Sequence, residues 1–278
     1  MHTQEKDINN TYLDVSGSKI FYEEIGIGPP LVLLHDGLVH HVVWNAQFKV
    51  FADHYRVIRY DRRGYGLSEY PTQPYSNVQD LKSLLDHLGI ERTMLFGISG
   101  GGEVAIDFAL AFPNHVNTLV LVGAVISGYE FSEHFLNRNN LNFEPLFRGD
   151  RQATIQNWIN DPYITLEKNV KARSVLREIL TGSDVKLYKN AAIANFAQPP
   201  ALPAIERLSE VQARTLIIVG ESDIADVHAH AGVLEVFIPK AKRVVVPNAG
   251  HLVNLEQADK FNQIVLDFLN KSRSNEGS

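Results

Sequence analysis

The chain contains no cysteine among its 278 residues, which removes disulfides, thiolate metal ligands and a thiol nucleophile together. Positive charge is also scarce: 26 Lys and Arg face 32 Asp and Glu, a formal net charge of −6, with a pI near 6.0. A nucleic-acid partner would favour a basic face, so none is expected. No apolar run approaches the roughly 20 residues of a membrane-spanning helix. The segment Met1 to Asp7 also lacks the basic start and apolar stretch of a secretory signal. The expectation is a soluble cytoplasmic protein with no membrane partner. No internal repeat or low-complexity segment interrupts the chain, and its 45% hydrophobic content suffices for one large core, or for a core plus a smaller cap.

What is present is a regular alternation of short strands and helices. Thr11 to Val15 and Lys19 to Glu24 read as a hairpin across Ser16-Gly17-Ser18. Apolar, β-branched runs follow at Leu31–Leu34, Arg56–Tyr60, Thr93–Phe96, Thr118–Val122, Thr215–Val219 and Arg243–Val246. Such runs suit parallel strands buried on both faces. Helical patterns occupy the intervals, among them Asn77–Leu88, Gly101–Phe112 and Asn254–Leu269. From about Ser127 to Glu210 there is helical patterning alone, near Phe131–Asn137, Arg151–Asn160, Leu166–Leu180 and Val185–Ala197. The polar tail Lys271–Ser278 reads as disordered.

Three positions carry chemistry. Gly97-Ile98-Ser99-Gly100-Gly101 follows a strand and opens a helix, so the chain turns sharply and presents the Ser99 hydroxyl outward. A serine hydroxyl is a weak nucleophile near neutral pH; it needs a histidine to take its proton and a carboxylate to fix that histidine's tautomer. Asp223 follows the strand ending at Gly220, and His251 follows the strand ending near Pro247. Asp226 is the alternative acid, but it lies further from the strand end, on the next predicted helix. His228 and His230, at i and i+2 on that helix, do not face one metal, and no metal site is expected.

The order Ser99, Asp223, His251, each just past an apolar strand, resembles that of the α/β-hydrolase superfamily. The chain is similar to its small esterases, lactonases and cofactor-free perhydrolases from about Tyr12 to Leu269. Two further motifs carry the likeness: Leu31-Val32-Leu33-Leu34-His35-Asp36-Gly37, and Asp61-Arg62-Arg63-Gly64-Tyr65-Gly66-Leu67-Ser68. The resemblance implies a mostly parallel eight-stranded sheet flanked by helices. Its core would comprise residues 1–126 and 211–278, with residues 127–210 inserted after the sixth strand as a helical cap. It also implies an oxyanion hole built from the backbone N–H groups of Gly37 and Gly100, and hydrolysis of a small ester or lactone without a cofactor.

The sequence departs from the family pattern in two places. Asp36 stands where glycine is usual, so its carboxylate either faces the developing oxyanion or turns back to cap its own loop. Gly100 replaces a larger apolar residue, so extra room is expected beside the nucleophile. His35 is expected to support the oxyanion loop, and His40 and His41 to touch substrate or be solvated. Ser99 argues against dehalogenase and epoxide-hydrolase chemistry, which use aspartate at the elbow. Carbon–carbon bond hydrolases usually carry a longer glycine-rich oxyanion loop. A small-molecule receptor on the same fold, with little turnover, is the competing expectation.

Overall fold

The computed structural model describes residues 8–182 and 196–273. Eight strands form one sheet: β1 (Asn9–Val15), β2 (Ser18–Ile25), β3 (Pro30–Leu34), β4 (Arg56–Tyr60), β5 (Thr93–Ile98), β6 (Val116–Val122), β7 (Arg214–Gly220) and β8 (Ala241–Val246). Their spatial order is β1-β2-β4-β3-β5-β6-β7-β8. β1 and β2 pair antiparallel across a turn in which Ser16 and Gly17 both have positive φ, 44° and 77°, the combination that matches the twist of a tight hairpin. β2 meets β4 antiparallel, and every later pairing is parallel.

The central strands are buried on both faces, as their unbroken apolar runs require. Leu31, Leu33, Met94, Phe96, Val120 and Val122 point to one layer. Val32, Leu34, Leu95, Leu119 and Leu121 point to the other. α1 (Asn45–Phe51) and α9 (Ala258–Arg273) cover the first face through Phe48, Phe51, Phe261 and Val265. α2 (Asn77–His87), α3 (Gly100–Ala111) and α7 (Ala225–Phe237) cover the second through Leu81, Leu84, Phe108 and Leu234. Each such side chain contributes about 1.5–3 kcal/mol on burial.

Between β6 and β7 lie α4 (Glu133–Phe147), α5 (Arg151–Asn160) and α6 (Val170–Gly182). Side chains place their starts: Ser132 accepts from the Phe135 N–H and Asp150 from the Ala153 N–H, satisfying donors that an uncapped helix leaves open. α4 is longer than its pattern indicates, running through the buried Pro145 to Phe147. The expected helix at 185–197 lies outside the described residues up to 195. The expected helix at 254–269 is interrupted at Gln257, giving α8 (Val253–Glu256) and then α9. α9 runs on to Arg273, so the first three residues of the expected disordered tail are helical, and the rest of it lies outside the described residues. Among the described residues no helix is long and apolar enough to cross a membrane.

The turn after β4 is anchored by a buried ion pair. Arg63 Nε and Nη2 donate to the two oxygens of Asp80 on α2, at 2.6 and 2.7 Å, and Nη2 also reaches the Val15 carbonyl. The Arg63 side chain is 1% exposed and that of Asp80 6%. Removing one partner leaves a charge buried without compensation. Asp80→Ala is therefore expected to lower stability by about 3–5 kcal/mol, measured as a fall in the urea midpoint.

Candidate active site

β3, β5, β7 and β8 all end at the same edge of the sheet, and the chain reverses direction across it between β3 and β5. Open α/β sheets bind ligands at that kind of switch point. β5 runs straight into Ser99, whose φ of 51° and ψ of −118° are strained for a side-chain-bearing residue. Two contacts hold the strain. A Cβ on Gly97 would strike the backbone of Gly101 and Gly102, and one on Gly101 would strike the carbonyls of Leu34 and His35. The first turn of α3 thus packs directly on β3 and β5, and Ser99 has no other path to follow. Its carbonyl accepts from the Gly102 and Glu103 N–H groups, and its own N–H donates to Val122.

The loop after β3 is held as closely. His35 is fully buried; its Nε2 accepts from the Arg62 N–H at 3.0 Å, so Nδ1 carries the proton and donates to the Asp36 carbonyl at 2.7 Å. Burial, aided by the Arg62 charge, holds this ring well below the ordinary histidine value, so it is neutral and acts as a brace. Asp36 resolves the two alternatives left by its sequence position in favour of the cap. Its Oδ1 accepts from the N–H groups of Leu38 and Val39, both at 2.7 Å. Gly37 lies between these residues, and its N is 3.9 Å from where a Cβ on Gly100 would stand.

Arg62 borders the room expected at Gly100, where an added Cβ would meet only ordinary contacts. Both Nη atoms of Arg62 stand 3.8 Å from that same Cβ position, and the guanidinium donates to the Asp36 carbonyl at 2.6 Å while stacking on Tyr65. A cation rather than an apolar side chain borders the space. The sequence reading missed this because Arg62 occupies the variable position of its turn.

On the other side, His251 Nδ1 meets Asp223 Oδ2 at 2.8 Å, which directs Nε2 away from Asp223. Asp223 Oδ1 accepts from the Ile224 N–H at 2.8 Å. Gly123, with φ 50°, lies so close that a Cβ there would be 2.9 Å from Nδ1 and 3.2 Å from Oδ2; the position is closed to any other residue. Burial pushes the His251 ring down, but the Asp223 carboxylate, followed by Asp36, outweighs it and raises the ring above its ordinary value, with Arg138 opposing. Asp226 is excluded as the partner of this histidine, because its two oxygens accept from the Ser132 N–H and hydroxyl. It fastens α4 instead.

Ser99, Asp223, His251 and Gly37 all border one cavity of about 160 Å³, closed above by α4 and α5. No hydrogen bond joins the Ser99 hydroxyl to the His251 ring. Of the large apolar residues on α4 and α5, Phe135, Phe143 and Trp158 line the cavity, whereas Leu141 and Phe147 are exposed. Arg138 and Asn139 also line it, and nothing in the motif reading singled them out. The signal was present: Phe135, Arg138, Asn139, Asn142 and Phe143 fall at i, i+3, i+4, i+7 and i+8 on α4, one helical face.

The histidine loop is tied to the cap. His251 N–H donates to the Tyr163 carbonyl at 2.7 Å and Leu252 N–H to that of Ile164. The Glu256 carboxylate accepts from both Gly250 and Leu166 N–H groups, at 2.5 and 2.7 Å.

His40 and His41 do not line the cavity. Their Nδ1 atoms and an Asp61 oxygen form a compact group of three ligand atoms within 4.8 Å of one another. However, His41 Nδ1 is committed to both Asp61 oxygens, at 2.8 and 2.9 Å. Asp61 also accepts from the His41 and Leu67 N–H groups. The cluster therefore clasps the loop after β3 to the turn after β4, and His41 is buried rather than solvated.

Residues 29–258 match the model of the α/β hydrolase fold. The chain belongs to this family. It is 29% identical to a 2-hydroxy-6-oxo-6-phenylhexa-2,4-dienoate hydrolase of Comamonas testosteroni, over 92% of this chain and 93% of that one. It is 32% identical to 2-hydroxy-6-oxononadienedioate/2-hydroxy-6-oxononatrienedioate hydrolase 2 of Pseudomonas putida, over 90% and 91%. Among solved structures, the enol-lactonase of Burkholderia xenovorans LB400 superposes with a TM-score of 0.78 at 25% identity, covering 94% of this chain and all of that one. Its homologues are hydrolases, and the fold expected from the sequence is the one observed.

The electrostatics of His251 can be checked by NMR titration of its ring. It is expected to titrate above 6.5. Asp223→Asn should drop it below that value, because burial then acts without the carboxylate that opposes it. Asp36→Asn should lower it by less.

Proposed function

We propose that this hydrolase cleaves a carboxylic ester or lactone through an acyl-enzyme, with Ser99 as nucleophile, His251 as general base and Asp223 as the group that orients it. The observation that carries the reading is the His251–Asp223 pair at 2.8 Å opening on the same cavity as the strained Ser99. With Nδ1–H donated to Asp223, Nε2 presents its lone pair for the Ser99 proton. Ser99 Oγ then bonds to the substrate carbonyl carbon, and the carbonyl oxygen takes the electron pair. The N–H groups of Gly37 and Gly100 serve as its donors. Collapse expels the alkoxide, which leaves with the proton from His251; in a lactone it stays attached as the ring opens. Water, deprotonated by His251, attacks the acyl carbon; the bond to Ser99 Oγ then breaks, Oγ takes the proton back from His251, and the acid is released. No cofactor enters these steps.

A second reading is favoured by the named relatives: an oxo-dienoate hydrolase acting beside a ketone. The short His35-Asp36-Gly37-Leu38 loop supports the ester reading instead.

Purified enzyme should release p-nitrophenol from short-chain acyl esters, and Ser99→Ala should lose about 10⁴-fold or more in kcat. Because only the neutral ring accepts a proton, and its pKa is raised, kcat/KM should climb with pH through a midpoint above 6.5. A protein that turns over no ester or lactone but binds one would overturn this reading in favour of a receptor. Turnover confined to an oxo-dienoate would favour the second.

A further inference from the structure

The cap presents a positively charged residue to the cavity in an unusual state. α4 leaves Leu136 and Leu141 49% and 68% exposed, while Arg138 and Asn139 face the cavity alongside Phe135 and Phe143. The Arg138 side chain is 11% exposed, and its guanidinium is held on every side that faces protein. Nε and Nη2 donate to the two oxygens of Asp161 at 2.6 and 2.9 Å. Asp161 is fixed in turn by the Asn142 amide at 2.6 Å and the Tyr163 N–H at 3.0 Å. The rings of Trp158, Tyr163 and Phe135 surround the guanidinium carbon at 5.3, 5.4 and 5.9 Å. Nη1 makes no hydrogen bond to any described residue, and neither does the neighbouring Asn139 amide. A planar donor group so oriented is pre-organised for one more acceptor.

The charges around it decide which acceptor. Asp161 already neutralises Arg138. The other ionisable groups bordering the cavity are Asp36, Asp223 and His251, and Asp36 and Asp223 both bring negative charge close to His251. An anion entering this cavity would leave water for a site without net positive charge, which is costly. An uncharged oxygen gains the hydrogen bond without that cost.

We propose that Arg138 is a specificity-determining residue that binds a second, uncharged acceptor oxygen of the substrate, a ketone or amide carbonyl borne on the part of the molecule lodged beneath the cap. The inference rests on reading Ser99 as an acyl-transfer nucleophile, and it sets this chain apart from relatives named for dienoates, which bear carboxylate.

The test compares p-nitrophenyl esters of matched length: pentanoate and heptanoate, their 4-oxo and 6-oxo analogues, and the succinate and adipate monoesters, in which carboxylate replaces the methyl ketone. Rates are corrected with Ser99→Ala. In the native enzyme one oxo ester should exceed its alkyl counterpart about tenfold in kcat/KM, the value of one such hydrogen bond, and its carboxylate counterpart should gain nothing. In Arg138→Met the oxo-to-alkyl ratio should fall to about one; because it is a ratio within one variant, any general loss cancels. In Asp161→Asn the guanidinium is no longer neutralised, and the carboxylate ester should gain relative to the alkyl ester.

Equal oxo and alkyl rates in the native enzyme overturn the inference even if the Arg138 variant fails to fold. So does a native preference for the carboxylate esters, or an oxo preference that survives Arg138→Met; all three leave Ser99 hydrolysis standing. A native enzyme that hydrolyses none of the esters overturns the ester reading, and the inference with it.

Discussion

The close approach of α3 to the central strands is the constraint from which the rest of the site follows. Gly97 and Gly101 let the helix start against the carbonyls of Leu34 and His35, and the only way for the chain to pass from β5 into that helix is through a positive φ at Ser99. The strain there, of order 1–3 kcal/mol, is sustained by strands buried on both faces. The same approach sets the loop after β3 beside the first turn of α3, so the Gly37 and Gly100 backbones become neighbours. Position of the hydroxyl and position of the candidate oxyanion donors are thus one geometric fact.

Around this rigid centre the polar groups work in pairs, each restricting the next. His35 links the loop after β3 to Arg62; Arg62 returns to the Asp36 carbonyl; the Asp36 side chain closes its own loop. Asp61 with His40 and His41 fastens the following residues. Nearly all these groups are buried, where a satisfied network is rigid and a broken one is costly. The cap is joined to the same network through the histidine loop, by way of Tyr163, Ile164 and Glu256. A displacement of the 163–166 segment therefore moves the backbone that carries His251.

Charge in the cavity is arranged asymmetrically. Asp223 and Asp36 favour the protonated ring of His251 against the cost of burial. Arg138, matched by Asp161, supplies a directed donor with little net charge. Phe135, Phe143 and Trp158 provide the apolar remainder of the wall. The cavity is thus suited to an uncharged molecule held by shape and a few oriented hydrogen bonds.

By itself the sequence determined the succession of strands and the elbow, and it marked Ser99, Asp223 and His251 as the candidate site residues, because each is a local signal: a buried strand of β-branched residues, a glycine-flanked turn, a polar residue directly past a strand end. Local chemistry also marked Asp36 as anomalous. Only the tertiary structure decided what Asp36 does, since a carboxylate beside its own backbone N–H groups and one beside an oxyanion have the same sequence. It likewise decided that Arg62 stands beside Gly100, that Asp226 holds the start of α4 rather than a histidine, and that His40 and His41 clasp Asp61. Each of these depends on residues far apart in the chain brought within hydrogen-bonding reach. The inward face of α4 lies between the two cases: its spacing is written in the sequence, but which side of an amphipathic helix meets the cavity is fixed only by the core on which the helix packs.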